Sequence, residues 1–408
     1  MNRAHTQVQR HSKAKAIQRI TGFRSAVSLH SHTHHSKENL GFLPHYVEFL
    51  RTQFLTRMLQ SGLRNYESTK GKSLDFRRAY WTPPVTPGMV FASETEQIER
   101  KLGLPSLVSI TDHDTIDGPL SLKAEPATAS MPISVEWTVP FGGNTFHLGI
   151  HHLPPDCAHE IMEDLAQYTT EPVEDRLGDL FARLDRCPDT LLVLNHPLFS
   201  LGRDKHLTSL RRLLSRCRPW IHALEFNGMR SWTENKDVLH MAEEYDLPVV
   251  AGGDRHGRRP GAVLNLTHGE TWSDFVGEIR QERQNTVLVM PAYEEPAVLR
   301  EFATASDVLR HYPYYPYGQR RFTDRIFFNM EGYGWHPLSF YWDGGKGRPG
   351  WLTPTVAAVI ALGSDHLRPL LGWLLSCSGQ FDRVALPKGD DDTGDGLGRH
   401  TEIPVEPE

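Results

Sequence analysis

The chain has little cysteine: Cys157, Cys187, Cys217 and Cys377 among 408 residues, with no CxxC pairing. That spacing excludes a disulfide scaffold and a cysteine-built zinc site, and points to a reducing compartment. No long hydrophobic run is present either. The most apolar stretch, Trp351 to Ser376, is broken by Pro354, Gly363, Asp365, His366, Arg368 and Pro369. It is too interrupted to span a bilayer and reads as buried core helix. The first residues lack the apolar segment of a secretory signal, so a cytoplasmic location is expected. Residues 1–24 carry Arg3, Arg10, Lys13, Lys15, Arg19 and Arg24 without an acid, and read as a frayed basic tail. A strong net charge is also missing. At −6, the balance argues against a dedicated nucleic-acid coat, although local basic patches remain open.

Histidine, by contrast, is plentiful, with 22 residues. Two of them close an apolar run, Val27-Ser28-Leu29-His30-Ser31-His32-Thr33. Along a strand, residues i and i+2 face the same way, so both imidazoles can reach one metal ion. Five later apolar runs end in potential ligands: Leu107 to Asp114, Ile133 to Glu136 with Phe146-His147, Leu191 to Pro197, Ala223 to Asn227, and Val249 to His256. Polar groups gathered at the C-terminal ends of parallel strands are where barrel enzymes keep their chemistry. Helical periodicities separate the runs, near 93–102, 158–169, 174–185, 207–216, 234–245 and 272–284. This alternation predicts an α/β fold with a mostly parallel, barrel-like sheet over residues 25–290, closed by a strand at Thr286–Met290.

Two segments depart from the alternation. Residues 38–85 read as an insertion after the first strand. Apolar positions at Val47, Leu50, Phe54 and Met58 predict a helix over Pro44–Gln60, and seven Lys/Arg stand against three Asp/Glu from Glu48 to Arg78. A basic insertion tipped by Arg77-Arg78-Ala79-Tyr80-Trp81 beside a metal site is expected to cap it, with Arg77 and Arg78 binding an anionic substrate. Residues 291–386 form an aromatic and helical extension, in which tyrosines mixed with arginines could stack on bases or simply pack. The acidic, Gly/Pro-rich segment 387–408 reads as disordered.

Taken together, the motifs resemble the polymerase and histidinol phosphatase (PHP) family. Its opening motif appears as Ser28-Leu29-His30-Ser31-His32-Thr33, its Thr-Asp-His-Asp string as Thr111-Asp112-His113-Asp114, its His-Pro as His196-Pro197 and its Asp-x-His as Asp254-Arg255-His256. Glu136 and His147 match the family's bridging glutamate and following histidine. The resemblance implies a distorted (β/α)7 barrel holding two or three divalent ions, zinc, manganese or iron. One would be held by His30, His32, Glu136 and Asp254, a second by His147 and His196 with Glu136 bridging, and a third by His113 and His256. Asp112, Asp114 and Glu225 would stand behind these ligands.

Two positions depart from the family. Its leading aspartate is Ser28. Its third-metal ligand is replaced by Lys37, so that Glu38, His34 or His35 substitutes, or the ion is lost and the Lys37 ammonium takes its place. The implied activity is a metal-dependent phosphoesterase in which a metal-bridged hydroxide attacks phosphorus, with His256 or His113 as general acid and Lys37 steadying the leaving oxygen. The expected substrate is a small phosphomonoester, a nucleotide or a short oligonucleotide, with no membrane involved and protein partners unknown. The alternatives are a binding or regulatory module that has lost the chemistry, and a C–N or C–O bond hydrolase using the same metal pair.

Overall fold

The runs that are buried on both faces become the strands. The computed structural model describes residues 3–11, 20–41, 64, 67–68, 75–199, 203–315, 318–330, 332, 334–342, 350 and 352–377. The helix expected at Pro44–Gln60 and the acidic segment 387–408 lie outside these. Among the described residues the strands are β1 (His5–Arg10), β2 (Ser25–Ser31), β3 (Glu38–Asn39), β4 (Ala79–Trp81), β5 (Ser106–Val108), β6 (Val135–Phe141), β7 (Asn144–His151), β8 (Leu191–Asn195), β9 (Ala223–Asn227), β10 (Val249–Arg255), β11 (Val263–Thr267), β12 (Gln284–Val289), β13 (Ile326–Met330) and β14 (Gly334–Pro337).

Ten of them form one sheet, in the order β1-β12-β11-β2-β10-β9-β8-β7-β6, with β5 paired to β2. Pairing is parallel from β2 through β10, β9 and β8, and between β2 and β5. It is antiparallel where β7 meets β6 and β8, and where β11 meets β2 and β12. This α/β architecture corrects the expected closed barrel. The two-glycine turn Gly142-Gly143, with both residues at positive φ, joins β6 and β7 as a hairpin, so no crossover helix separates them. The strand expected to close the barrel instead lies between β11 and β1. Among the described residues, the segment after β5 meets the start of β6 in one backbone bridge between His113 and Glu136, where the Glu136 amide donates to Asp112 O (3.2 Å) and the Asp114 amide to Glu136 O (3.0 Å).

Two further expectations change. Residues His5–Arg10 do not fray as a tail but pair in parallel with β12 at the sheet edge. The apolar stretch near the C-terminus forms two helices, Leu352–Leu362 and Arg368–Cys377. It is not core helix: the first helix has no fully buried residue, and Trp373 in the second is 63% exposed. No helix among the described residues is long and apolar enough to cross a membrane. Cys157, Cys187 and Cys217 are free.

Strand alternation sets what faces the site. In β6, Val135, Trp137, Val139 and Phe141 enter the main hydrophobic core, where Trp137 packs against Tyr168 and Phe181 of the helices Ala158–Thr170 and Glu174–Asp185. The Trp137 indole N–H is satisfied by Thr169 Oγ1 at 2.9 Å. Replacing so large a buried ring with alanine typically costs about 3–5 kcal/mol. With Trp137 anchored on one side, Glu136 points to the other. A second, antiparallel sheet, β14-β13-β4-β3, carries the two ends of the 38–85 segment.

Candidate metal centre

Three of the expected ligands sit in backbone conformations that L-residues rarely adopt. His30 has φ 62°, Asp254 48° and His196 28°. Such strain concentrates at sites where the surroundings impose it. For the first two the cause is a bulge: Leu29 pairs with Gly252 and Ser31 with Arg255, so Gly253 and Asp254 together face His30 alone. The extra residue brings the Asp254 carboxylate in beside the histidines of β2.

Glu136 divides the centre between its two oxygens. Oε2 lies 3.1 Å from His30 Nε2, 3.2 Å from His32 Nε2 and 3.3 Å from His113 Nε2. Oε1 faces His196 Nε2 at 3.2 Å and His147 Nδ1 at 3.5 Å, and accepts the Asn195 side-chain amide at 3.0 Å. Although buried, Oε2 has no hydrogen-bond partner. Asp254 Oδ1 stands 3.6 Å from both His30 Nε2 and His32 Nε2. The sets His30/His32/Glu136, His32/Asp254/His256 and His113/Glu136/His147 are each compact enough to hold a metal ion.

A further set, His32/Glu38/His113, answers the question raised by Lys37. Glu38 Oε2 is 3.3 Å from His113 Nε2 and 3.2 Å from His256 Nε2, while its Oε1 accepts from Ser36 Oγ at 2.6 Å. Lys37 is the correction. Neighbouring residues of a strand point to opposite faces, so its ammonium turns outward to lie 5.7 Å above the Tyr80 ring. Arg77 and Arg78 do not enter the cluster either. Both are exposed, and Arg77 Nε pairs with Asp75 at 3.2 Å. The tip of the segment meets the site through Trp81 instead, 5.6 Å from the His256 ring.

Groups behind the ligands fix their orientation. Glu225 Oε1 is 2.5 Å from His30 Nδ1, which leaves Nε2 aimed at the centre. The other Glu225 oxygen accepts the His196 amide at 2.7 Å and the Asn227 amide at 2.9 Å. Asn227 also donates to Asp254 Oδ2 at 3.1 Å. Asp112 accepts the Thr33 amide at 2.5 Å and its hydroxyl at 2.8 Å, tying the His30/His32 turn to β5. Asp114 Oδ1 accepts the Thr138 amide at 2.8 Å and so steadies β6. Burial pushes the Asp112 carboxyl up to about 7 against the pull of those Thr33 bonds.

The charges of the cluster sort by neighbour. Burial opposes ionisation throughout. Even so, the histidines His30 and His113 hold the Glu136 carboxyl well below the usual range, and His256 and His113 do the same for Glu38. Asp254 is likewise lowered, by His30 first. The same attractions overcome burial at His30, raised well above 6.5 by Glu136, Glu225 and Asp254, and at His113, pushed up to about 10 by Glu136 and Glu38. His32 goes the other way, to about 4, because burial and the His256 charge outweigh its carboxylate neighbours. A pocket of ionised carboxylates facing converging imidazoles, with a buried oxygen left unbonded among them, is a donor set that fits divalent cations.

Every metal-ligating residue expected from the sequence is therefore gathered here. Arg230 was missed. It follows β9, its Nη2 stands 3.7 Å from Asp254 Oδ2, its guanidinium carbon lies over the Phe199 ring 3.6 Å from the centroid, and its Nε is buried without a hydrogen-bond partner. No periodicity or spacing marks a single arginine in a connecting turn.

No protein-family model matches the chain, and no curated protein does. Among solved structures it is similar to PsfC from Pseudomonas syringae, at 16% identity over 50% of this chain and 82% of that one, with a TM-score of 0.34. A protein from Bifidobacterium adolescentis assigned as a metal-dependent phosphoesterase shows 17% identity, coverage of 48% and 91%, and a TM-score of 0.32. An amidohydrolase from Chromobacterium violaceum, solved with sulfate and no metal, shows 18%, 44% and 86%, and 0.32.

Proposed function

We propose that this protein is a metal-dependent phosphoesterase of the polymerase and histidinol phosphatase kind, acting on a phosphomonoester, nucleotide or short oligonucleotide. The observation that carries this reading is the division of Glu136, one oxygen toward His30, His32 and His113 and the other toward His147 and His196. A carboxylate shared in this way suits a pair of ions about 3.5–4 Å apart. Zinc, manganese or iron bound there would supply activation of water and neutralisation of phosphoryl charge.

The remaining work falls to the chain. His30, His32, Glu136 and Asp254 make one position, and His147 and His196 with Glu136 make the next. Glu38, His113 and His256 make a third. Glu225 holds His30 in a single tautomer, and Asn227 holds Asp254. Arg230, with its guanidinium resting on Phe199, can donate hydrogen bonds to a phosphoryl oxygen and orient it toward the cluster, which suits an anionic substrate. His256, whose Nδ1 donates to the Asp254 carbonyl at 3.0 Å, presents Nε2 to the same space and can pass a proton to a leaving oxygen when no ion occupies that nitrogen.

Elemental analysis combined with turnover of an aryl phosphate, an aryl phosphodiester and an aryl amide tests this reading. The expectation is at least two ions per chain, with hydrolysis of a phosphate ester. Glu136→Gln is expected to deplete both positions it spans. Full occupancy in that variant, or turnover of the amide alone, overturns the proposal.

A further inference from the structure

The two faces of the small sheet differ in kind. In register, Glu38 pairs with Trp81, Asn39 with Tyr80, Tyr80 with Phe327, and Asn329 with Trp335. Alternation therefore sends Glu38 and Trp81 toward the metal centre, and Ala79 and Phe328 into a buried cluster with Leu40 and Leu338. The opposite face takes Lys37, Asn39, Tyr80, Phe327, Asn329 and Trp335. On it, the Tyr80 ring stacks on Phe327 at 4.9 Å and 14°, and contacts Trp335 at 4.9 Å. Lys37 stands over Tyr80, and Trp335 is 49% exposed.

From this arrangement we infer that the outer face of the small sheet is a docking platform for single-stranded nucleic acid, leading to the metal centre. Strand order places Trp335 on β14, Phe327 on β13, Tyr80 on β4 and Lys37 beside β3, and because the Tyr80 ring touches both Phe327 and, across β13, Trp335, the three rings form one contiguous patch with Trp335 exposed. Aromatic faces stack on bases regardless of sequence, and a lysine beside them offsets a backbone phosphate. Asn39 and Asn329 can hydrogen-bond base edges. None of these six residues is acidic, and Arg78, immediately before β4, is exposed, so the charge suits a polyanion. The patch reaches toward β3, the free edge of the sheet. There the neighbouring residue, Glu38, already belongs to the metal centre, so a chain crossing the platform delivers its end to that edge. This choice of substrate rests on the phosphoesterase reading above, but the docking itself does not.

The test measures binding and turnover separately. Metal-free protein is titrated into a labelled single-stranded oligonucleotide of about ten nucleotides, enough to cover the platform, and anisotropy is read. The unmodified chain is expected to bind. Trp335→Ala and Tyr80→Ala should each weaken binding roughly tenfold, Trp335→Phe should restore most of it, and turnover of an aryl phosphate by the metal-loaded variants should be unchanged. Absence of binding overturns the platform, as does equal affinity in Trp335→Ala with a lowered Tm, which assigns the rings to packing alone. Binding without any phosphate turnover leaves the platform standing and removes the phosphoesterase reading; turnover without binding does the reverse.

Discussion

Glu225 Oε1 lies 2.5 Å from His30 Nδ1, in the space that a side chain at position 252 would otherwise fill. A Cβ built on Gly252 collides with this carboxylate, so the glycine of β10 is what allows the glutamate of β9 to reach the histidine of β2.

Gly252→Ala is therefore expected to push Glu225 aside and free the His30 ring to rotate. Loss of such a supporting contact typically costs about 10–100-fold in metal affinity. Glu225→Ala should match it. Competition with a fluorescent chelator measures the effect, and unchanged affinity in both variants would remove Glu225 from the support of His30.

Glu38→Gln should lower the number of bound ions by one relative to the unmodified chain, because Glu38 is the carboxylate between His113 and His256. Lys37→Ala should leave the number unchanged, since its ammonium faces Tyr80. Elemental analysis of both variants checks the pair, and a drop in Lys37→Ala alone would reverse the assignment.

Loading is expected to release protons. In the metal-free chain His30 is raised well above 6.5 and His113 to about 10, so both are charged near neutral pH and must give up a proton to bind an ion. The sign for stability follows. A raised histidine contributes stability that is fully present below 6.5 and is lost as pH rises through its folded value, about 10 for His113. The metal-free Tm should thus fall between neutral pH and about 10, whereas the loaded protein, its imidazoles already neutral, should lack this slope. Calorimetry in buffers of different ionisation enthalpy reads the protons directly, and a loading enthalpy independent of buffer would contradict the charge assignment.

Arg230→Ala should raise KM for a phosphorylated substrate without changing bound metal. A charge-assisted hydrogen bond is worth about 1.5–3 kcal/mol, or roughly one to two decades in kcat/KM. Arg230→Lys should recover only part, because lysine has no guanidinium to place over the Phe199 ring. A silent Arg230→Ala would take the residue out of substrate binding.

Most of the ligands were legible because they end an apolar run: His30, His32, His196 and Asp254 lie at or just past the ends of β2, β8 and β10. Glu136 was expected to end its strand too, but it stands at the start of β6, where the apolar alternation runs on to Phe141. What the sequence concealed is of two kinds. Lys37 and Glu38 differ by one step at the start of the two-residue strand Glu38–Asn39, and without the partner strand β4 nothing says which of them faces inward. Sheet closure was misjudged because β11 and β12 have the apolar composition of any buried strand, and composition is silent about direction. β1 stayed hidden for another reason: His5–Arg10 is an edge strand with polar residues on both faces, held by its backbone pairing to β12.

The single bridge between His113 and Glu136 gives the molecule a clasp. The two residues that fasten the segment after β5 to the start of β6 also carry side chains that converge at 3.3 Å on one candidate ion position. Closing the seam thus also brings His113 and Glu136 together as candidate ligands, and an ion held between them would act as a rivet. A chelator would loosen the molecule along this line before anywhere else, and a protease would find its first purchase between β5 and β6.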